Sequence, residues 1–70
     1  MPKIQGINHQ DAVQVFQKVG YRIKRQAGHI IMTKDQNILV IPRGNPINPF
    51  TMGGIARTAG LTPEEFKSLL

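Results

Sequence analysis

The sequence predicts an α+β domain: a three-stranded antiparallel sheet with helices on one face, in the order α-β-β-β-α, forming a two-layer sandwich. Three observations carry this expectation. A helical repeat with one apolar stripe fills 8–19, three short runs of strand character follow between residues 21 and 41, and helical patterning returns after residue 51. At 70 residues the chain is read as one domain over 1–70. Folding at this size buries only about 60% of the surface that the unfolded chain exposes, so the core has to be compact.

Residues 1–7 contain Pro2 and Gly6 and read as a lead-in. Asn8 is a good N-cap, and Asp11 three residues later puts a carboxylate in the first turn, where the helix dipole favours it. Ala12, Val15, Phe16 and Val19 follow the i, i+3, i+4, i+7 spacing of a helix with one buried stripe. Gly20 can take the left-handed conformation that closes such a helix. His9, in the first turn, is expected to face solvent.

Residues 21–26 alternate. Tyr21 and Ile23 are expected on one face, and Arg22, Lys24 and Gln26 on the other, which gives a half-buried strand with a basic outer side. Arg25 is set apart from that pattern by its place near the turn. Ala27-Gly28 supplies the turn, 29–34 the second strand, and Asp35-Gln36-Asn37 the next turn. The third strand runs over 38–41 and stops at Pro42. Short connections make the three strands an antiparallel meander.

The second and third strands are apolar on both faces. Such runs mark strands covered on both sides, yet so short a chain covers one face well. A second copy, giving a homo-oligomer, or a partner protein is therefore expected on part of the other face. Strand propensity alone explains the runs equally well. Residues 43–50 read as a loop, punctuated by Gly44, Asn45-Pro46 and Asn48-Pro49. Thr51 is expected to cap a helix over 52–59 closed by Gly60. Gly53-Gly54 there costs about 1 kcal/mol per Gly relative to Ala and suits close approach to another backbone. Thr62-Pro63-Glu64-Glu65 starts a last short helix with Phe66, Leu69 and Leu70 as its apolar side.

Lys and Arg number 9 against 4 Asp and Glu, a net charge of +5, with a pI near 10.3. That excess favours a polyanionic partner, nucleic acid first among them. The absence of cysteine rules out a disulfide framework and a thiolate zinc site. No apolar run approaches the ~20 residues of a membrane span, so no membrane partner is expected and the chain reads as soluble and cytoplasmic. The stretch Arg25-Gln26-Ala27-Gly28-His29-Ile30-Ile31-Met32 places one titratable side chain at a strand edge beside positive charge. A lone histidine in such a place is more often structural or merely exposed than catalytic.

Several of these features together resemble the HicA-like (YcfA-like) mRNA interferase toxin family. They are Gly20-Tyr21-Arg22-Ile23-Lys24-Arg25-Gln26, the Gly28-His29 pair opening the second strand, and Ile41-Pro42 ending the third. The run Thr51-Met52-Gly53-Gly54-Ile55-Ala56-Arg57-Thr58-Ala59-Gly60-Leu61-Thr62-Pro63-Glu64-Glu65-Phe66 completes them. The resemblance covers nearly the whole chain. It implies a double-stranded-RNA-binding-domain-like fold and a toxin of a type II toxin–antitoxin system. Such a toxin is a metal-independent endoribonuclease that cleaves mRNA, blocks translation and is held in check by a HicB-like antitoxin. It places the catalytic histidine on His29 and implies no cofactor. Where many members set Ser or a second His beside that histidine, this chain has Gly28 and Ile30. Where many carry a His after the third strand, it has Arg43-Gly44.

The chemistry suits these residues. Imidazole, with a free pKa of about 6.5, takes and returns protons near neutrality. Nearby cations offset the charge of a phosphorane-like transition state. The candidates for binding RNA in this way are Arg22, Lys24, Arg25, Lys34 and Arg43. Arg57 on the later helix is explained equally well as a solvated helix face. On the residues alone, a non-catalytic RNA-binding module and a protein-interaction domain of the same fold stay open.

Overall fold

The computed structural model describes residues 3–70; Met1 and Pro2, the start of the expected lead-in, lie outside them. Helix α1 (His9–Lys18) begins where Asn8 turns its side chain back: Asn8 Oδ1 accepts from the Asp11 amide at 2.8 Å. Ala12, Val15 and Phe16 form its buried face, as their spacing requires. Gly20, at φ 101°, then turns the chain into the sheet. Strands β1 (Arg22–Gln26), β2 (Ile30–Lys34) and β3 (Asn37–Ile41) pair antiparallel in the order β1-β2-β3. His29 therefore belongs to the 27–29 bend, one residue before the second strand. Asp35, at φ 53°, carries the tight turn between β2 and β3.

The β1–β2 pairing corrects the expected alternation. Ile23 lies opposite Met32, but Arg25, not Lys24, lies opposite Ile31, and Gln26 opposite Ile30. Lys24 is the extra residue of a β-bulge, and past it every side chain changes face. Arg22 and Arg25 thus share the outer face, with Thr33 and Ile31 as their cross-strand partners, while Gln26 moves to the inner face beside Ile30.

Helix α2 (Pro49–Thr58) starts earlier than its sequence suggests. Asn48, not Thr51, is the cap: its Oδ1 accepts from the amides of Phe50 (3.0 Å) and Thr51 (3.2 Å), and Pro49 occupies the first turn. Asn-Pro reads as a loop signal, yet Asn is also a leading N-cap and Pro a favoured first helical residue. Helix α3 (Pro63–Ser68) has the full expected capping box, Thr62 with Glu65.

One sheet face packs on the helices. Ile30, Met32, Leu39 and Ile41 meet Ala12, Val15, Phe16, Met52, Ala56 and Phe66 in a single buried cluster. Residues that the sequence had left in a lead-in and a loop join it: Ile4, Ile7 and Ile47 are all buried. They are held there by Ile4 N–H to the Pro49 carbonyl (3.1 Å) and Ile47 N–H to the Ile7 carbonyl (2.7 Å). The outer face stays open, with Ile38 57% and Val40 49% exposed. The architecture is a small α+β fold with an uncovered sheet face, and among the described residues no helix is long and apolar enough to cross a membrane.

Candidate nucleic-acid interface

His29 lies in the bend at 27–29, just before β2, and its side chain is exposed. Arg25, opposite Ile31, is the nearest outer-face cation on β1. Arg43 follows β3, whose Ile41 lies opposite Ile30, and its Nε donates to the Ala27 carbonyl at 3.2 Å. That bond ties the Arg43 loop to the histidine's own bend. His29, Arg25 and Arg43 therefore lie at the same end of the sheet, Arg25 on its outer face and Arg43 on the helix side. None of the chain's acidic residues lies in β1, in the bend or in the Arg43 loop. They are Asp11 in α1, Asp35 in the far turn, and Glu64 and Glu65 in α3.

Two of the expected cations stand apart. Arg22 is opposite Thr33, and Lys34 ends β2, five residues beyond His29. From Ile30, the first strand residue after His29, four steps at a rise of about 3.4 Å per residue put Lys34 about 14 Å along the sheet. Lys34 is also engaged: its Nζ donates to the Val19 carbonyl at 2.7 Å and lies 5.8 Å from the centre of the Tyr21 ring. Lys24, on the bulge, is exposed at the sheet's edge. Arg57 is exposed in the last turn of α2.

His9 is the residue that sequence reasoning missed. It is half-buried, not solvent-facing. The loop after β3 folds back onto the start of α1, and the Gly44 carbonyl accepts from both the His9 amide (3.0 Å) and His9 Nδ1 (3.1 Å). A carbonyl can only accept, so Nδ1 carries the proton and, in the neutral ring, Nε2 holds the lone pair. Gly44 suits this loop: a Cβ there would lie 3.0 Å from Ile47 Cα and 3.1 Å from the Pro46 oxygen, so the backbone around it would have to give slightly. No sequence signal announces the contact, because His9 lies off the apolar stripe and its partner is 35 residues away.

His9 and Arg43 stand on the walls of a cleft of about 340 Å³ on the helix side of the sheet end. Gln10, Gln14 and Gln26 supply its polar lining, and Val13, Ile23 and Ile30 its apolar wall. A second groove, of about 400 Å³, runs between β3 and α2, lined by Ile38, Val40, Thr51, Gly54, Ile55 and Thr58. Among the described residues no three His, Cys, Asp or Glu side chains come together as a metal site.

The class that fold and site define is a small α+β protein with a basic, histidine-bearing sheet end. No family model matches the chain, and no curated protein or solved structure matches it.

Proposed function

We propose that this protein is a HicA-like toxin of a type II toxin–antitoxin system: an endoribonuclease that binds mRNA, cleaves it without a metal and so blocks translation in the cytoplasm. The carrying observation is that the exposed His29 sits in a bend bonded to Arg43, at the sheet end that also carries Arg25 on its outer face, in segments that hold no acidic residue. The helix–three strands–helix order and the open sheet are read as a double-stranded-RNA-binding-domain-like fold.

In this reading His29 takes the proton from a ribose 2′-OH. The 2′-oxygen then forms a bond to the adjacent phosphorus as the bond from phosphorus to the 5′-oxygen breaks. The leaving oxygen receives a proton from the imidazolium, leaving a 2′,3′-cyclic phosphate and a 5′-hydroxyl. Arg43, bonded to the histidine's bend, offsets the charge that builds on the phosphoryl oxygens, and Arg25 holds the RNA backbone from the outer face. Arg22 and Lys24 extend the track for the RNA backbone along β1. Lys34, already engaged by the Val19 carbonyl, contributes at most a distant phosphate contact.

The open apolar strip of Ile31, Ile38 and Val40 favours a protein partner on the same face, which in this reading is a HicB-like antitoxin that covers the RNA track.

Single-stranded RNA is expected to bind with strong salt dependence, log K falling by about 0.7 per phosphate contact against log salt. Arg25→Ala and Arg43→Ala should each flatten that slope by about one contact. Fluorescence anisotropy at several salt concentrations checks this, and an unchanged slope in both variants removes these residues from the interface.

A further inference from the structure

We propose that the cleft between α1, β1 and the Arg43 loop is the subsite for one nucleotide unit of a single-stranded RNA. This inference rests on the RNA-binding reading above and adds to it the place where a base is held. Three features of the cleft point to a nucleotide. The half-buried Ile23 and Val13 and the buried Ile30 give an apolar wall suited to the face of a base. Gln14 and Gln26 bring amides, each with two donor hydrogens and an acceptor oxygen, the groups that pair with base edges. Arg43 brings a fixed positive charge for the phosphate.

His9 adds a pinned acceptor. With Nδ1 held by the Gly44 carbonyl, the ring is fixed on the cleft wall, and in its neutral form Nε2 is the acceptor left free. The volume, about 340 Å³, falls within the roughly 300–1,000 Å³ of small-ligand clefts, at the end that holds one nucleotide and not a longer segment. The cleft also adjoins the reacting end. Ile30 in its wall follows His29 in the chain, and the Arg43 guanidinium that lines it is bonded to Ala27 of the histidine's bend. A strand crossing Arg43 can therefore place a base in the cleft and the neighbouring phosphate at His29. The β-bulge at Lys24 is what makes this arrangement, since it turns Gln26 from the outer face into the cleft.

The test is a titration of the 70-residue chain, followed by nuclear magnetic resonance of its side-chain amides and imidazoles. The titrants are ribonucleoside 5′-monophosphates, a single-stranded RNA tetramer with 2′-O-methyl groups that block cleavage, and inorganic phosphate. The nucleotides and the tetramer should move the Gln14, Gln26 and His9 side-chain signals saturably, with the tetramer binding more tightly. Gln14→Ala and Gln26→Ala should each weaken binding by about three- to ten-fold, the worth of one ordinary hydrogen bond. Both positions are exposed, and the backbone spectrum of each variant verifies its fold.

Signals that stay still, or variants that bind as the parent does, overturn the subsite. Equal movement by inorganic phosphate reduces it to an anion site and overturns the nucleotide. Equal affinity for monophosphate and tetramer makes it a site for free nucleotides and overturns the strand. RNA cleaved by the parent chain with a silent cleft defeats only the subsite. A responsive cleft in a chain that never cleaves RNA defeats only the catalytic reading.

Discussion

Replacing His29 with alanine is expected to abolish RNA cleavage while leaving the fold and RNA binding largely intact. The expected loss is about 10²- to 10⁴-fold, the usual contribution of a positioned acid–base group. The fold should tolerate the change because His29 is exposed in a bend, where a substitution usually shifts stability by no more than about 0.5 kcal/mol. Binding should persist because the cations at that sheet end, Arg25 and Arg43, are untouched. Cleavage rates, anisotropy and a thermal melt on the same preparations check all three statements. Cleavage at the parent rate would move the chemistry to another group, with His9 the first to be examined.

Phe16→Ala is expected to have the largest effect on stability. Phe16 is fully buried on α1 and packs edge-on to Tyr21, with ring centres 6.0 Å apart, and against Phe66 at 5.6 Å. It therefore joins α1, the entry to β1 and α3 in one contact. Truncation of a buried Phe costs about 3–5 kcal/mol, against a total of about 4–10 kcal/mol for a domain of this length. The variant should be largely unfolded near body temperature, with its melting transition lowered or absent by circular dichroism. A melt within a few degrees of the parent would mean that the core is not organised around this ring.

Much of the architecture was legible because local signals and tertiary packing agree. The stripe of Ala12, Val15 and Phe16 and the Asn8 cap fix α1 within one residue at each end. The Thr62–Glu65 capping box fixes the start of α3. The apolar runs of the second and third strands put Ile38 and Val40 on the side that the chain's own helices leave open.

What sequence missed depends on contacts between distant segments. The bulge at Lys24 was hidden because Arg22, Lys24, Arg25 and Gln26 are all polar, so a change of face leaves no mark on the pattern. Ile4, Ile7 and Ile47 sit in irregular segments pinned over the core by backbone hydrogen bonds, Ile4 to Pro49 and Ile47 to Ile7, which no periodicity announces. His9 was misplaced for a related reason: its partner is a loop carbonyl that only the fold brings near. The cleft followed from both misses, since it needs Gln26 turned inward and His9 held in place. The shared sheet end of His29, Arg25 and Arg43 was partly visible as a histidine near basic residues. The separation of Lys34 from them was not, because a five-residue strand is short in sequence and long in space.

The most direct measurement is incubation of the parent chain with single-stranded RNA in the presence of a strong metal chelator, followed by analysis of the product ends. Cleavage should persist in chelator and yield 2′,3′-cyclic phosphate and 5′-hydroxyl termini. Intact RNA, or products that end in 5′-phosphate, would contradict the proposed reaction.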